Sequence, residues 1–333
     1  MNEHTANCDM SLSDFAHLTP DAILEAVEAS SGLTLAGYTH PLNSYINRVY
    51  ELMEQNGTRF IAKFYRPGRW LRAAVEEEHV FVRACADADI PAVAPTPLAR
   101  GGSVGETETG IFFAVFPKRR GREWEPIDDE AWQRLGSLVG RIHAVGAQAN
   151  AEHRPILHPE HSVAECLDEL LSTDIVTAKH RSEFAEFAEA ARRRLDAAFD
   201  GVDPDDYIRL HGDCHQGNIL HRPGEGLVVI DFDDMAMGPT VQDLWMLLPD
   251  TVVNCRREIN LILEGYEMFR EFDDRELRLV EPLRLMRMLY FLAWVGRQRH
   301  DPGFERHFPG WGDDAFWRRE LAELSRQLAA LAG

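Results

Sequence analysis

Arg209-Leu210-His211-Gly212-Asp213-Cys214-His215-Gln216-Gly217-Asn218-Ile219-Leu220 is the stretch whose reading decides the fold. Asp213 precedes Asn218 by five positions, across a short polar loop with apolar residues on both flanks. Thirteen positions after Asn218, the apolar run Leu227-Val228-Val229-Ile230 ends on Asp231. Phosphoryl transfer needs a carboxylate beside the attacking hydroxyl, and an amide and a carboxylate oxygen to hold Mg²⁺ against the phosphates. Asp213, Asn218 and Asp231 occur in the order and spacing of a kinase catalytic loop followed by its metal aspartate. Singly, each is an ordinary turn or strand-end residue. Jointly, H-G-D-x-H-x-x-N, a hairpin signal at Gly224-Glu225-Gly226 and a strand ending in Asp carry the kinase reading.

Upstream, the chain reads as a small sheet. Thr19-Pro20 has the form of an N-cap and first-turn proline, opening a helix that stops at Gly32. Residues 42–52 are rich in strand formers, Asn56-Gly57 is a hairpin turn, and residues 59–65 form the returning strand. Lys63 lies on that strand, where kinases place a lysine on the nucleotide phosphates. Lysine is rare here: Lys63, Lys118 and Lys179 are the only three. In such an arginine-rich background a lysine marks a place where a compact ammonium is needed.

Residues 70–87 read as a helix with Leu71, Val75, Val82 and Cys85 on one stripe and Glu78 within it. A carboxylate on an apolar face needs a partner, and Lys63 is the candidate. Glu76 and Glu77 are expected to be solvated, although a small rotation would turn Glu77 inward. A second hairpin is expected from residues 98–100 and 111–116. Val115-Phe116-Pro117 then leaves the sheet into a linker that begins Lys118-Arg119-Arg120-Gly121, and the backbone of Val115 and Phe116 is the expected adenine contact.

Downstream, the pattern becomes helical. Residues 129–145 carry Trp132, Leu135, Val139 and Ile142 at helical spacing, and His143 reads as a buried structural hydrogen bonder. Ser162-Val163-Ala164-Glu165 has the form of a capping box, and Phe184, Phe187, Ala191 and Leu195 form another stripe. Asp243 sits in an apolar helix and is expected to accept hydrogen bonds from the loop around Asp213. Only twelve positions separate Asp231 from Asp243, which leaves no room for a long activation loop of the protein-kinase kind. Three further helices are expected near 256–270, 276–299 and 313–331.

Composition narrows the function. The chain has 333 residues and 45% hydrophobic content, a length suited to two packed lobes. No apolar run reaches the length of a membrane span. Residues 1–9 are polar and acidic, so no signal peptide is expected. The five cysteines show no C-x-x-C pair or disulfide framework, which points to a reducing cytoplasm. A formal net charge of −20 opposes broad nucleic-acid binding and would favour a cationic substrate or a basic protein segment. No zinc-ligand spacing and no G-x-x-x-x-G-K-[ST] phosphate loop occurs. The Gly-rich loop of protein kinases is also missing; its hairpin position carries Asn43-Ser44-Tyr45-Ile46-Asn47, with Ser44 the preferred phosphate contact.

With these residues in hand, the chain resembles the protein-kinase-like superfamily of aminoglycoside and choline phosphotransferases, and within it the stress response kinase A family. Asn43-Ser44-Tyr45 with Asn47-Arg48-Val49-Tyr50, the H-G-D-x-H-x-x-N loop and Gln242-Asp243-Leu244-Trp245-Met246-Leu247-Leu248 carry the likeness. Phe232 departs from it, standing where the family leads one to expect an aliphatic residue. The resemblance implies an α+β, two-lobed protein-kinase-like fold: a small antiparallel-sheet nucleotide lobe over 1–117 and a larger, mainly helical lobe over 118–333. It implies that Asp213 is the proton acceptor, that Asn218 and Asp231 hold Mg²⁺, with Asp231 counted also among the catalytic residues, and that Ser44 touches ATP. It further implies a monomeric cytoplasmic enzyme acting on protein serine or threonine, itself included, with no nucleic-acid or membrane partner. The alternatives are a small-molecule kinase for an amino alcohol or aminoglycoside, and a nucleotide-binding pseudokinase scaffold.

Overall fold

The computed structural model describes residues 15, 17–119, 121–222, 224 and 226–331. Residues 1–9, where no leader is expected, lie outside the described residues, as do Arg120 of the basic run and Glu225 of the hairpin signal. In chain order the elements begin with α1 (Pro20–Ser31), β1 (Leu35–Leu42), β2 (Arg48–Glu54), β3 (Arg59–Phe64), α2 (Arg72–Asp87), β4 (Gly105–Glu106), β5 (Phe112–Pro117) and β6 (Arg122–Glu123). They continue with α3 (Asp129–Gly146), α4 (Ala164–Ser172), α5 (Arg181–Ala198), β7 (Ile208–Leu210), β8 (Ile219–Arg222), β9 (Gly226–Val229) and β10 (Ala236–Gly238). The chain ends with α6 (Val241–Trp245), α7 (Arg256–Tyr266), α8 (Val280–Arg297), α9 (Phe304–His307) and α10 (Asp314–Ala330). Among the described residues, no helix is long and apolar enough to cross a membrane.

Two compact units result, and neither is continuous in sequence. The first comprises Met1–Arg72, Thr96–Lys118 and Val295–Trp311; the second comprises Ala73–Pro95, Arg119–Trp294 and Gly312–Gly333.

The first unit is an antiparallel sheet in the order β1-β2-β3-β5-β4. Thr19 caps α1 through the Ala22 amide at 3.2 Å. Gly32 ends the helix at φ 72°, a left-handed cap that suits glycine. At the β2–β3 turn the Asn56 side-chain oxygen takes the Thr58 amide at 2.7 Å. Ile23 and Val27 of α1 bury against Leu52, Ala62, Phe64, Phe113 and Val115 of the sheet. The chain turns at 43–47 between β1 and β2, where the sequence placed the hairpin. One expectation fails here. Residues 98–100 form a turn closed by Gly101 N–H on the Leu98 carbonyl at 2.9 Å, and β4 supplies the edge strand instead.

The second unit is mainly helical, with the short sheets β7–β10 and β6–β8–β9 inset. The α2 stripe buries Val75, Glu78, Val82 and Cys85 as expected. Leu71 does not belong to it; it precedes the helix and is 68% exposed. The expected capping box at Ser162 is also absent. A π turn over Pro159–Val163 already winds the chain before α4, so Ser162 is not at a helix end, and its hydroxyl donates to the His158 carbonyl at 3.0 Å. Beyond α6, residues 274–279 form a 3₁₀ turn, so the last long helices are shorter than the sequence spacing suggested.

Helices α3 and α7 touch backbone to backbone. A Cβ at Gly136 would lie 1.8 Å from the Ile262 carbonyl oxygen, and one at Gly265 would lie 1.9 Å from that of Gln133. Gly140, one turn beyond Gly136, meets the Tyr266 carbonyl in the same way. No side chain fits there without separating the helices. Gly136→Ala is therefore expected to destabilise the protein by about 1–3 kcal/mol, the usual cost of overpacking against backbone. Urea unfolding monitored by circular dichroism measures it; an unchanged midpoint would mean that the two helices tolerate separation.

Candidate active site

β7, paired with β10, delivers the chain into the 211–218 loop. The loop is held from beneath by Asp243 of α6, which is wholly buried. The Asp243 carboxylate accepts the backbone N–H groups of His211 at 2.8 Å and Gly212 at 2.9 Å, as the sequence led us to expect. It also faces Nε2 of His143 at 3.0 Å; a carboxylate only accepts, so Nε2 carries the proton. The Tyr266 hydroxyl meets the other ring nitrogen at 3.1 Å. Burial alone would raise the Asp243 pKa, but the hydrogen bond and charge of His143, with the His211 amide, hold it below the ordinary value. Gly212 is required here, because φ is 82° and glycine alone adopts that conformation without strain. A Cβ at this position would also lie 1.9 Å from the Asp234 carbonyl oxygen.

Asp213 and Asn218 close a tight turn. The Asp213 carbonyl accepts both the His215 amide at 2.8 Å and the Asn218 side-chain NH₂ at 2.9 Å. The Gly217 amide donates to Nδ1 of His215 at 3.0 Å, so that ring carries its proton on Nε2, 3.5 Å from Asp213 Oδ2. Arg287 of α8 donates from Nη2 to the other carboxylate oxygen, Oδ1. Burial pushes Asp213 upward, but the His215 hydrogen bond and the Arg287 charge outweigh it and hold the carboxyl below its usual range.

The same turn fixes the start of the next loop. His211 accepts the Asp213 amide on Nδ1 at 3.3 Å and donates from Nε2 to the Ile230 carbonyl at 2.9 Å. The Ile230 amide returns to the Asn218 carbonyl at 3.0 Å, one residue before Asp231. Asp231 is exposed and has φ 63°. That left-handed conformation is uncommon for a non-glycine residue and often found at functional sites. Phe232 behind it packs on His211 at 4.4 Å and on Phe81 at 5.6 Å between ring centroids. Buried Arg154 holds the rest of the loop through the backbone carbonyls of Asp233 and Met235.

These donors suit a hard divalent cation. A carbonyl only accepts, so the Asn218 NH₂ faces the Asp213 carbonyl and its Oδ1 keeps its acceptor capacity. With the exposed Asp231 carboxylate, that is the kind of sparse oxygen set Mg²⁺ takes when phosphates and waters complete its shell. Among the described residues, no group of three or more His, Cys, Asp or Glu side chains could hold a metal by itself.

In the first unit, Lys63 on β3 stands opposite Val49 and Ala114, 8% exposed, with Nζ 5.2 Å from the Tyr65 ring centroid. Ala62 and Ile61 pair with Val115 and Phe116, so the lysine and the expected adenine-contact segment occupy adjacent strands. Ser44 is half-buried in the loop before β2. Arg66 ties that loop down, its amide on Asn47 Oδ1 at 3.2 Å, its Nε on the Ile46 carbonyl at 3.3 Å, and its Nη2 on Asp301 at 2.6 Å. The Tyr45 ring packs on His307 at 4.8 Å and Phe308 at 5.2 Å. In the second unit, Glu78 is buried on α2, whereas Glu77 is not solvated as expected. Its carboxylate accepts the backbone N–H groups of Glu152 at 2.8 Å and His153 at 3.0 Å, a job the α2 pattern gave no means of seeing.

Sequence reasoning missed Arg287, Arg66 and Asp301. Arg284 and Arg287 lie three positions apart on α8, but the helix also carries Glu281 and Arg297, so the spacing does not single out Arg287.

A family model described as "phosphotransferase enzyme family" matches residues 39–280. Stress response kinase A of Escherichia coli K12 is 37% identical over 324 residues, covering 95% of this chain and 94% of that protein. A protein of Salmonella typhimurium LT2 named serine/threonine protein kinase RdoA is 35% identical over 318 residues, covering 95% and 94%. Among solved structures, an amicoumacin kinase in complex with AMP-PNP and Ca²⁺ superposes with a TM-score of 0.71 at 18% identity, over 92% of this chain and 93% of that one. The fold is the α+β, kinase-like fold of the aminoglycoside and choline phosphotransferases.

Asp243→Ala leaves the His211 and Gly212 amides and His143 Nε2 without their acceptor. We expect a loss of about 3–5 kcal/mol, the scale of leaving several buried donors without an acceptor, read by urea unfolding. The pH dependence follows from the lowered folded-state pKa. The carboxylate's stabilisation is complete above its unfolded value and is lost as pH falls through the folded one. Asp243→Asn should therefore flatten the acid arm of the stability curve. An unaltered acid arm would remove Asp243 from that role.

Proposed function

The chain belongs to the phosphotransferase enzyme family, and on that premise we propose that it is an ATP- and Mg²⁺-dependent serine/threonine protein kinase. The observation that carries the reading is the Asp213 carboxylate, 19% exposed, on a loop whose backbone Asp243 and Asn218 hold in place. In this role Asp213 orients the acceptor hydroxyl and takes its proton. The acceptor oxygen bonds to the γ-phosphorus as the bond to the bridging β-phosphate oxygen breaks, and ADP departs. Asn218 Oδ1 and the Asp231 carboxylate would hold Mg²⁺, which neutralises charge on the phosphates when bound. Lys63, Glu78, Ser44 and the backbone of Val115 and Phe116 are the proposed nucleotide-side residues.

The names of the Escherichia and Salmonella relatives support a protein acceptor and a stress-response role. Cys85, Cys166, Cys214 and Cys255 are buried free thiols, which supports a reducing cytoplasm as the working compartment. The proposal extends to a monomer that takes its own hydroxyls as substrates too. The second reading, a small-molecule kinase, draws support from the amicoumacin kinase structure.

The deciding experiment follows transfer from labelled ATP to generic proteins, to the chain itself and to a panel of amino alcohols. Transfer confined to the amino alcohols overturns the protein-kinase reading. Asp213→Ala is expected to keep nucleotide affinity within a few-fold of wild type while lowering the single-turnover rate by about 10²-fold or more. Lost nucleotide binding together with a lowered melting temperature would make it a structural residue. Asp231→Ala should abolish turnover and weaken Mg²⁺-dependent nucleotide binding; near-normal rates would remove it from the site. Lys63→Arg keeps the charge but substitutes a planar fork, and should lose most activity. Wild-type rates in that variant would dismiss the need for an ammonium.

A further inference from the structure

The carboxylate proposed to meet the acceptor hydroxyl already has a cationic neighbour. Arg287 reaches from α8 to Asp213 Oδ1, while its side chain stays 36% exposed. A guanidinium has five N–H donors, and among the described residues the hydrogen bond of Arg287 is to Asp213. Most of its donors are thus left facing solvent beside the reacting position. On the other oxygen, His215 directs its Nε2 proton from 3.5 Å.

One turn earlier, Arg284 lies over the Trp245 ring at 4.7 Å and adds a second cation to the same face of α8. Glu281 lies 3.3 Å from its Nε, so Arg284 is partly balanced. Trp245 is held in turn: its indole N–H donates to Gln242 at 3.1 Å, and Gln242 donates to the Gly212 carbonyl at 3.3 Å. The arginine-bearing face of α8 is therefore built onto the same elements that carry the loop.

We propose that Arg287 is the residue that selects the acceptor, by pairing with an anionic group next to the hydroxyl to be phosphorylated. The preferred acceptors are then acidic serine or threonine segments, or hydroxy acids, rather than cationic amino alcohols. This rests on the phosphotransferase reading of Asp213 and names the substrate class of that site. A cationic acceptor would bring like charge against Arg287. An anionic one offers the guanidinium a second carboxylate or phosphate, drawing it from Oδ1 and freeing that oxygen for the hydroxyl proton. The phosphoryl group still passes from ATP to the acceptor oxygen, with ADP as leaving group. The net charge of −20 would suggest the opposite preference. Screening limits that distant field to about 8 Å at physiological salt, so contact with the guanidinium decides.

The test compares four acceptors: two serine peptides of equal length flanked by Asp/Glu or by Arg/Lys, a hydroxy acid (glycerate) and an amino alcohol (ethanolamine). Wild type is expected to favour the anionic member of each pair by about tenfold in kcat/KM, the worth of one charge-assisted hydrogen bond. In Arg287→Gln the ratio should fall towards one, in Arg287→Glu it should invert, and in Arg287→Lys most of the preference should survive. Nucleotide titration confirms that each variant is folded. Equal ratios in wild type and Arg287→Gln, or a wild-type preference for the cationic members, overturn the inference. Transfer to the small acceptors alone, with the ratio still dependent on Arg287, supports it while the protein-acceptor reading fails. Transfer to none of the four overturns it.

Discussion

The wholly buried Asp243 carboxylate is the constraint on which the site depends. Two backbone amides of the 211–212 turn and one imidazole N–H converge on it. Burying an ionised carboxylate is costly unless its oxygens are hydrogen-bonded. Here every donor comes from an element that must be in its final position: β7 and its turn, and α3 through His143. The charge thereby makes the loop's placement and the helical packing a single cooperative matter. The lowered Asp243 pKa expresses the same balance, with the His143 hydrogen bond and charge prevailing over burial.

That packing has its own close tolerance. Glycines at 136, 140 and 265 let α3 and α7 approach until Cβ atoms would collide with carbonyls. His143 of α3 and Tyr266 of α7 lie on the same interface and hydrogen-bond to one another. The glycine contact thus sets where the imidazole presents itself to Asp243. A chain of short-range requirements runs from helix spacing to the backbone of the loop that carries Asp213.

Much of this was legible locally. The Thr19–Gly32 helix limits, the Asn56-Gly57 turn, the strand position of Lys63, the inward Glu78 and the structural role of His143 follow from caps, turn residues and periodicity. Ser162 matches a capping box, but the chain is already helical before it. Leu71 continues the α2 stripe numerically but precedes the helix. Residues 98–100 read as a pairing strand, yet they close a turn and β4 takes the edge of the sheet. At Ser162 and at residues 98–100 a preceding or neighbouring segment overrode a valid local preference.

What the sequence by itself determined was the family of chemistry: the spacing of Asp213, Asn218 and Asp231, and the alternation and stripes that separate sheet from helix. These are properties of neighbouring residues, and backbone geometry makes them readable from order alone. Tertiary structure alone decided that Glu77 holds two amides of a segment 75 and 76 residues away, and that Asp301 anchors Arg66 across 235 residues. It alone set Arg287 on Asp213 across 74 residues. Such contacts depend on which helix face meets which loop after packing, and no local pattern in the chain encodes that meeting.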